Sequence, residues 1–129
     1  MHEINSWYIQ IDRDILASMK RSMELLPQVS FSILLALSLQ PRHGYEIMQQ
    51  VAEDSQGKIK LGPGALYGSI KQLHIAGLIE EIQSPDGSER RRYYQLTPQG
   101  WDRLNTEIAY FKATLTLSRQ RSMHSQPGV

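Results

Sequence analysis

LGPGALYGSIKQLHIAGLIEEIQSPDGSERRRYYQLT, residues 61–97, decides the fold. Its first half reads as a helix. Gly62 and Pro63 stand where a helix begins, since proline lacks only a donor that the first turn leaves unused. Leu66, Ile70 and Leu73 recur at helical spacing, and Gly77 is placed to be the left-handed stop. Tyr67, Lys71 and His74 share the opposite face. A polar, aromatic and basic face of this kind suits a duplex groove, but an ordinary solvated amphipathic face reads the same way. The second half reads as a hairpin: LIEEIQ as a strand, SPDGS as a turn with Asp86 and Gly87 taking positive backbone angles, ERRRYYQLT as the return strand. Strand alternation puts Arg92, Tyr94 and Leu96 on one face and Arg91, Tyr93 and Gln95 on the other. Tyr94 and Leu96 mark the core side.

Upstream, IQIDRDILASMKRSMELL (residues 9–26) carries Ile11, Ile15, Met19, Met23 and Leu26 along one helical face, ending at Pro27. Ser30 is placed to cap SFSILLALSLQ, apolar nearly all round and so buried, with Pro41 closing it. HGYEIMQQVAEDS opens a further helix at His43 to Tyr45, with Tyr45, Met48, Val51 and Ala52 as its inner stripe, and Lys58 to Leu61 alternates like a short strand. Downstream, Thr97 and Pro98 make a cap and first turn. Trp101, Leu104, Ile108, Phe111 and Leu115 then recur at three, four, three and four, a seam of about two heptads that either packs on its own domain or meets a second helix. RQRSMHSQPGV reads as a frayed polar tail. Three helices, then a helix followed directly by a hairpin, is the order of a winged helix-turn-helix. The fold class is mainly α with a small β-hairpin, and the arginines sit on the wing.

Composition narrows the chemistry. At 129 residues and 40% hydrophobic content the chain buries one domain-sized core with an appended helix or two. A net charge of +1 requires any nucleic-acid footprint to be a local patch. The absence of cysteine excludes disulfides, thiol catalysis and cysteine zinc sites. No apolar run reaches membrane-spanning length, and MHEINSWYIQID lacks the basic and apolar regions of a secretory leader, so a cytoplasmic protein is expected. Gly62-Pro63-Gly64 lacks the Gly-Lys-Ser/Thr ending of a phosphate loop. His2, His43, His74 and His124 are scattered without metal-ligand spacing, and His43 reads as a helix-start residue bonded to backbone. Glu80 and Glu81, adjacent on a strand, point to opposite faces and form no acid/base pair. Neither an enzyme nor a cofactor or metal is expected.

HGYEI, LGPGALYGSIKQLHIAGLIE and RRRYYQLTPQG together resemble the PadR family of bacterial transcriptional regulators, over Val29 to about Gly100. The resemblance implies a winged-helix homodimer that binds double-stranded operator DNA, with repression relieved by a small molecule. It implies that the helix bearing Tyr67 and Lys71 enters the major groove, with Ser69 and Gln72 in support and Arg90, Arg91 and Arg92 beside it on the wing. Tyr67 has a structural alternative, packing under the wing. Gly62, Ala65 and Gly68 depart from the residues more usual in the family. Ala65 removes a phosphate contact, whereas glycine remains an acceptable cap.

With the resemblance, the expected map is an N-terminal helical extension over 1–28, a winged-helix domain over 29–97, a C-terminal dimerisation helix over 98–121 and a disordered tail over 122–129. Ile11, Ile15 and Met19 join Trp101, Leu104, Ile108, Phe111 and Leu115 as the expected dimer contacts. Trp101, Tyr110 and Phe111 are the expected aromatic effector site. The rival reading keeps the fold but binds a protein partner, the arginines meeting acidic side chains.

Overall fold

A computed structural model describes residues 12–17, 24–88 and 90–125. In chain order these contain a helical turn at 13–17, then α1 (Gln28–Leu37), β1 (Arg42–His43), α2 (Gly44–Asp54), α3 (Pro63–Ile75), β2 (Ile79–Ile82), β3 (Tyr93–Leu96) and α4 (Pro98–Ser125). The strands form one antiparallel sheet in the order β1-β3-β2, with Ile79 opposite Leu96, Glu81 opposite Tyr94, and Arg42 also opposite Tyr94 from the other side. Mainly helical with a small sheet, the domain is a winged helix-turn-helix.

The core forms where three helical stripes meet one end of this sheet. Ile33, Leu34 and Leu37 of α1, Ile47 and Val51 of α2, and Leu66, Ile70 and Leu73 of α3 close over Ile79, Tyr94 and Leu96. Polar termini are satisfied locally. His43 caps α2 by accepting the Glu46 amide at Nδ1 (3.4 Å), and the Glu46 carboxylate accepts the His43 amide (3.2 Å), a capping box. The expected backbone role of His43 is therefore met. Gly77, at φ 76°, ends α3 in a Schellman turn: the Leu78 amide donates to the Leu73 carbonyl and the Gly77 amide to that of His74, both at 3.0 Å. Thr97 Oγ1 accepts the Gly100 amide at 3.0 Å and donates to the Gly77 carbonyl at 2.6 Å, tying the start of α4 to the end of α3.

Several sequence expectations change. α1 begins at Gln28 behind Pro27, and Ser30 lies inside its first turn without capping it. Tyr45 is 60% exposed and leaves the inner stripe to Gly44, Ile47 and Val51, because the His43 cap sets the phase of α2. Lys58 to Leu61 is not a strand. Gln56 and Gly57, both at positive φ, turn the chain out of α2, and Ser55 Oγ then takes the Ile59 amide at 2.9 Å. The third strand is Arg42–His43. Among the described residues of the hairpin only Gly87 takes a positive angle, and the return strand starts at Tyr93, so Arg90 to Arg92 precede the ladder.

α4 continues through residues 122–125, where a disordered tail was expected. Neither glycine nor proline interrupts it after Gly100, and Arg119 and Arg121 favour its negative C-terminal end. Leu104, expected at the dimer seam, is 1% exposed and belongs to this chain's own core. Ile108 packs partly against that core, and Phe111 meets Phe31 edge-on at 5.1 Å. From Ala109 through Met123 every side chain of α4 is exposed at least in part. Ile11 and Met19 lie outside the described residues, and Ile15 is exposed.

Candidate nucleic-acid interface

α3 presents its reading face because its apolar stripe is committed to the core. At about 100° per residue, burial of Leu66, Ile70 and Leu73 turns Lys71 and Gln72 to either side of the middle of the outer face and Tyr67 to its edge. All three are exposed, whereas Ser69 lies nearer the buried stripe and is only partly exposed. Gly64 and Gly68 lie on the same outer face with open space where a β-carbon would stand.

Tyr67 leans toward the wing. Its hydroxyl lies over Gly44 at the start of α2, and with His43, Tyr45, Tyr94 and Arg90 to Arg92 it lines an open cleft of about 590 Å³. Of the expected reading helix, Tyr67 alone reaches this cleft beside the expected wing arginines; Ser69, Lys71 and Gln72 lie outside it. Tyr67 is 51% exposed yet walled by the wing, a position that its under-wing alternative describes in part. Tyr45, His43 and Gly44 are cleft residues that the sequence reading did not assign. The cap at His43 was the available signal: counted from it, Tyr45 is the second helical residue and falls outside the Gly44, Ile47, Val51 stripe.

The wing has its own order. Ser84 and Gly87 close a turn by an amide-to-carbonyl bond of 3.0 Å, and the Asp86 carboxylate accepts the Ser84 hydroxyl and, at 2.9 Å, the Ser88 amide. The Ser84 hydrogen bond first, then the Ser88 amide, hold the Asp86 carboxyl below its usual value, with Arg91 adding a smaller pull. Arg92 Nε stands 3.6 Å from Glu81 Oε1, both side chains being well exposed. Burial, and next the Glu81 carboxylate, push the Tyr94 phenol upward. Glu80 faces away from Glu81 and accepts the Gln95 amide nitrogen at 2.6 Å.

The aromatic trio expected as an effector site is not gathered within one chain. Trp101 and Phe111 are ten residues apart on α4, about 15 Å along its axis. Phe111 lines an apolar groove of about 550 Å³ with Leu25, Phe31, Leu35 and Ile59, while Trp101 and Tyr110 lie outside it. Among the described residues no group of three or more His, Asp or Glu side chains could hold a metal ion, and no helix is long and apolar enough to cross a membrane.

Known proteins share this fold. A PadR family transcription regulator from hypervirulent Clostridium difficile superposes with a TM-score of 0.63 at 28% identity, over 73% of this chain and 97% of that one. A transcriptional regulator from Clostridium thermocellum has the same fold, with a TM-score of 0.60 at 23% identity over 71% of this chain and 90% of that one. An uncharacterized 37.1 kDa protein of a Streptomyces fradiae transposon is 35% identical over 75 residues, 58% of this chain. The chain spans only about a fifth of that curated relative, 20% of its length. Residues 33–106 match the PadR-like family of transcriptional regulators, more than half of the chain. Fold, wing and matched segment agree, and the chain belongs to the PadR-like family of transcriptional regulators.

Proposed function

We propose that the chain binds operator duplex DNA as a homodimer and represses transcription, a small aromatic molecule relieving the repression. The observation that carries this reading is the shared cleft: Tyr67 of α3 and Arg90, Arg91 and Arg92 of the wing line one open space on one side of the domain. α3 enters the major groove, with Lys71 and Gln72 toward base edges and Tyr67 at the rim, while the wing arginines meet phosphates or a neighbouring minor groove. Tyr45, exposed at the start of α2, adds a hydroxyl to the same surface.

Dimerisation falls to the exposed part of α4. Leu104 is used up in the domain core, so the second copy packs on Tyr110, Leu115, Leu117 and the open side of Phe111, each about half exposed. A ligand that enters the Phe111 groove acts beside that contact, and a shift there alters the spacing of the two reading helices.

The test is selection from a random duplex library followed by titration of the enriched duplex across a salt series. Enrichment of a two-fold symmetric sequence, bound by a dimer with affinity falling steeply with salt, is the expected result. Failure to bind any duplex, with capture of an acidic protein instead, favours the protein-interaction reading.

A further inference from the structure

The hairpin from Ile79 to Leu96 poses a charge problem for a phosphate-binding wing: it carries Glu80, Glu81, Asp86 and Glu89 against three arginines. Two of these acids are directed elsewhere. Glu80 lies on the far face of the sheet, engaged by Gln95, and Asp86 is consumed in holding the turn. Glu81 is different. Its cross-strand partner is Tyr94, so it lies on the face that bears Tyr94 and Arg92, both of which line the cleft. Among the described acids of the hairpin, Asp86 feels Arg91 only weakly, and only Glu81 stands within ion-pair distance of an arginine of the proposed interface.

The contact between them is of an exchangeable kind. One nitrogen meets one oxygen at 3.6 Å, with the Arg92 side chain 76% exposed and that of Glu81 48% exposed. A structural lock would use a short, two-pronged contact screened from water. An exposed single contact holds weakly and yields to a better anion.

We propose that Glu81 is a competitor built into the wing: its carboxylate occupies the Arg92 guanidinium in the free protein, and duplex DNA must displace it. This rests on the reading of the cleft as a DNA interface and adds a residue that sets its affinity. Arg92 reaches a phosphate only where the contacts of α3 already hold the duplex in register. On an arbitrary sequence α3 makes no such contacts, and Glu81 keeps Arg92. Operator binding therefore bears the full cost of breaking the pair, whereas non-specific binding forgoes only the weaker phosphate contact that Arg92 would have made.

The experiment compares the unsubstituted chain with Glu81→Gln and Glu80→Gln on a selected operator and on an arbitrary duplex of equal length, across a salt series. The two substitutions change net charge identically and differ only in the face they neutralise. Glu81→Gln should bind the operator about two- to fivefold tighter at low salt, the scale of one exposed ion pair. Its salt slope on the arbitrary duplex, where Arg92 is newly freed, should steepen by up to about 0.9. The affinity gain on the arbitrary duplex should be no larger than on the operator, and Glu80→Gln should track the unsubstituted protein. Glu81→Ala, which removes the carboxylate without offering an amide, should repeat the effect. Equal effects of Glu80→Gln and Glu81→Gln, or weaker binding by Glu81→Gln, overturn the proposal. Salt-dependent binding that Glu81→Gln leaves unaltered overturns it while the DNA interface stands. If the unsubstituted protein binds no duplex, the interface reading falls and takes this proposal with it.

Discussion

The Tyr67 hydroxyl lies over the α-carbon of Gly44, so closely that a β-carbon on residue 44 would stand 2.5 Å from it and 3.0 Å from Cζ. This approach joins the start of α2 to the outward face of α3. Gly44 has no positive φ, so alanine suits its backbone, and the only obstacle is the end of the Tyr67 side chain with Leu66 Cδ2 at 3.2 Å. Gly44→Ala should therefore cost only about 1 kcal/mol of stability, while swinging the phenol out of the cleft. Duplex affinity should fall by more than stability accounts for. Thermal melts and duplex titrations read the two effects separately, and Tyr67→Phe in the same background, which removes the closest atom but keeps Cζ, should recover part of the stability.

Glu107 is 3% exposed on α4, where Oε1 accepts the Leu26 amide at 2.9 Å and Arg103 Nε at 3.2 Å. Arg103 in turn donates to the Glu24 carbonyl, so the pair fastens the segment before α1 onto α4. Glu107→Ala leaves a guanidinium and an amide without their acceptor, and should destabilise the domain by about 3 kcal/mol. Hydrogen exchange at the Leu26 amide should accelerate beyond that of α1 itself. Equal exchange at both sites would mean that the segment is held by packing alone.

The wing turn should loosen in acid. The Asp86 carboxyl is held below its ordinary 3.8 by Ser84 and Ser88, so the stabilisation is present above the unfolded value and is lost as pH falls through the lower folded value. A carboxyl titration followed by NMR should find its midpoint under 3.8, with the Ser88 amide shift moving in step. Asp86→Asn should abolish the coupled Ser88 shift.

Much of this arrangement was legible because local signals agreed. Gly62-Pro63 and Gly77 bracket α3 at both ends, and the alternation of Tyr94 and Leu96 fixed the inner face of β3. Lys71, Gln72 and the three arginines were found exposed, as an outward face and a wing require. What escaped depended on tertiary partners. Arg42–His43 is too short to show a strand period and exists only because Tyr93 and Tyr94 offer it an edge. Leu104 and Leu115 are both seam leucines by spacing, yet the first is buried in the core while the second stands clear of it. Tyr45 is apolar enough for a stripe, and only the cap at His43 reveals its phase.

The central claim is that the cleft between α3 and the wing is where DNA binds. The most direct test replaces Arg90, Arg91 and Arg92 together with alanine and measures log affinity against log salt for a duplex that the unsubstituted protein binds. The slope should fall by about 0.9 for every phosphate the arginines had neutralised, with weakened binding at every salt concentration and an unchanged circular dichroism spectrum. Unaltered affinity and slope in the folded variant would contradict the account.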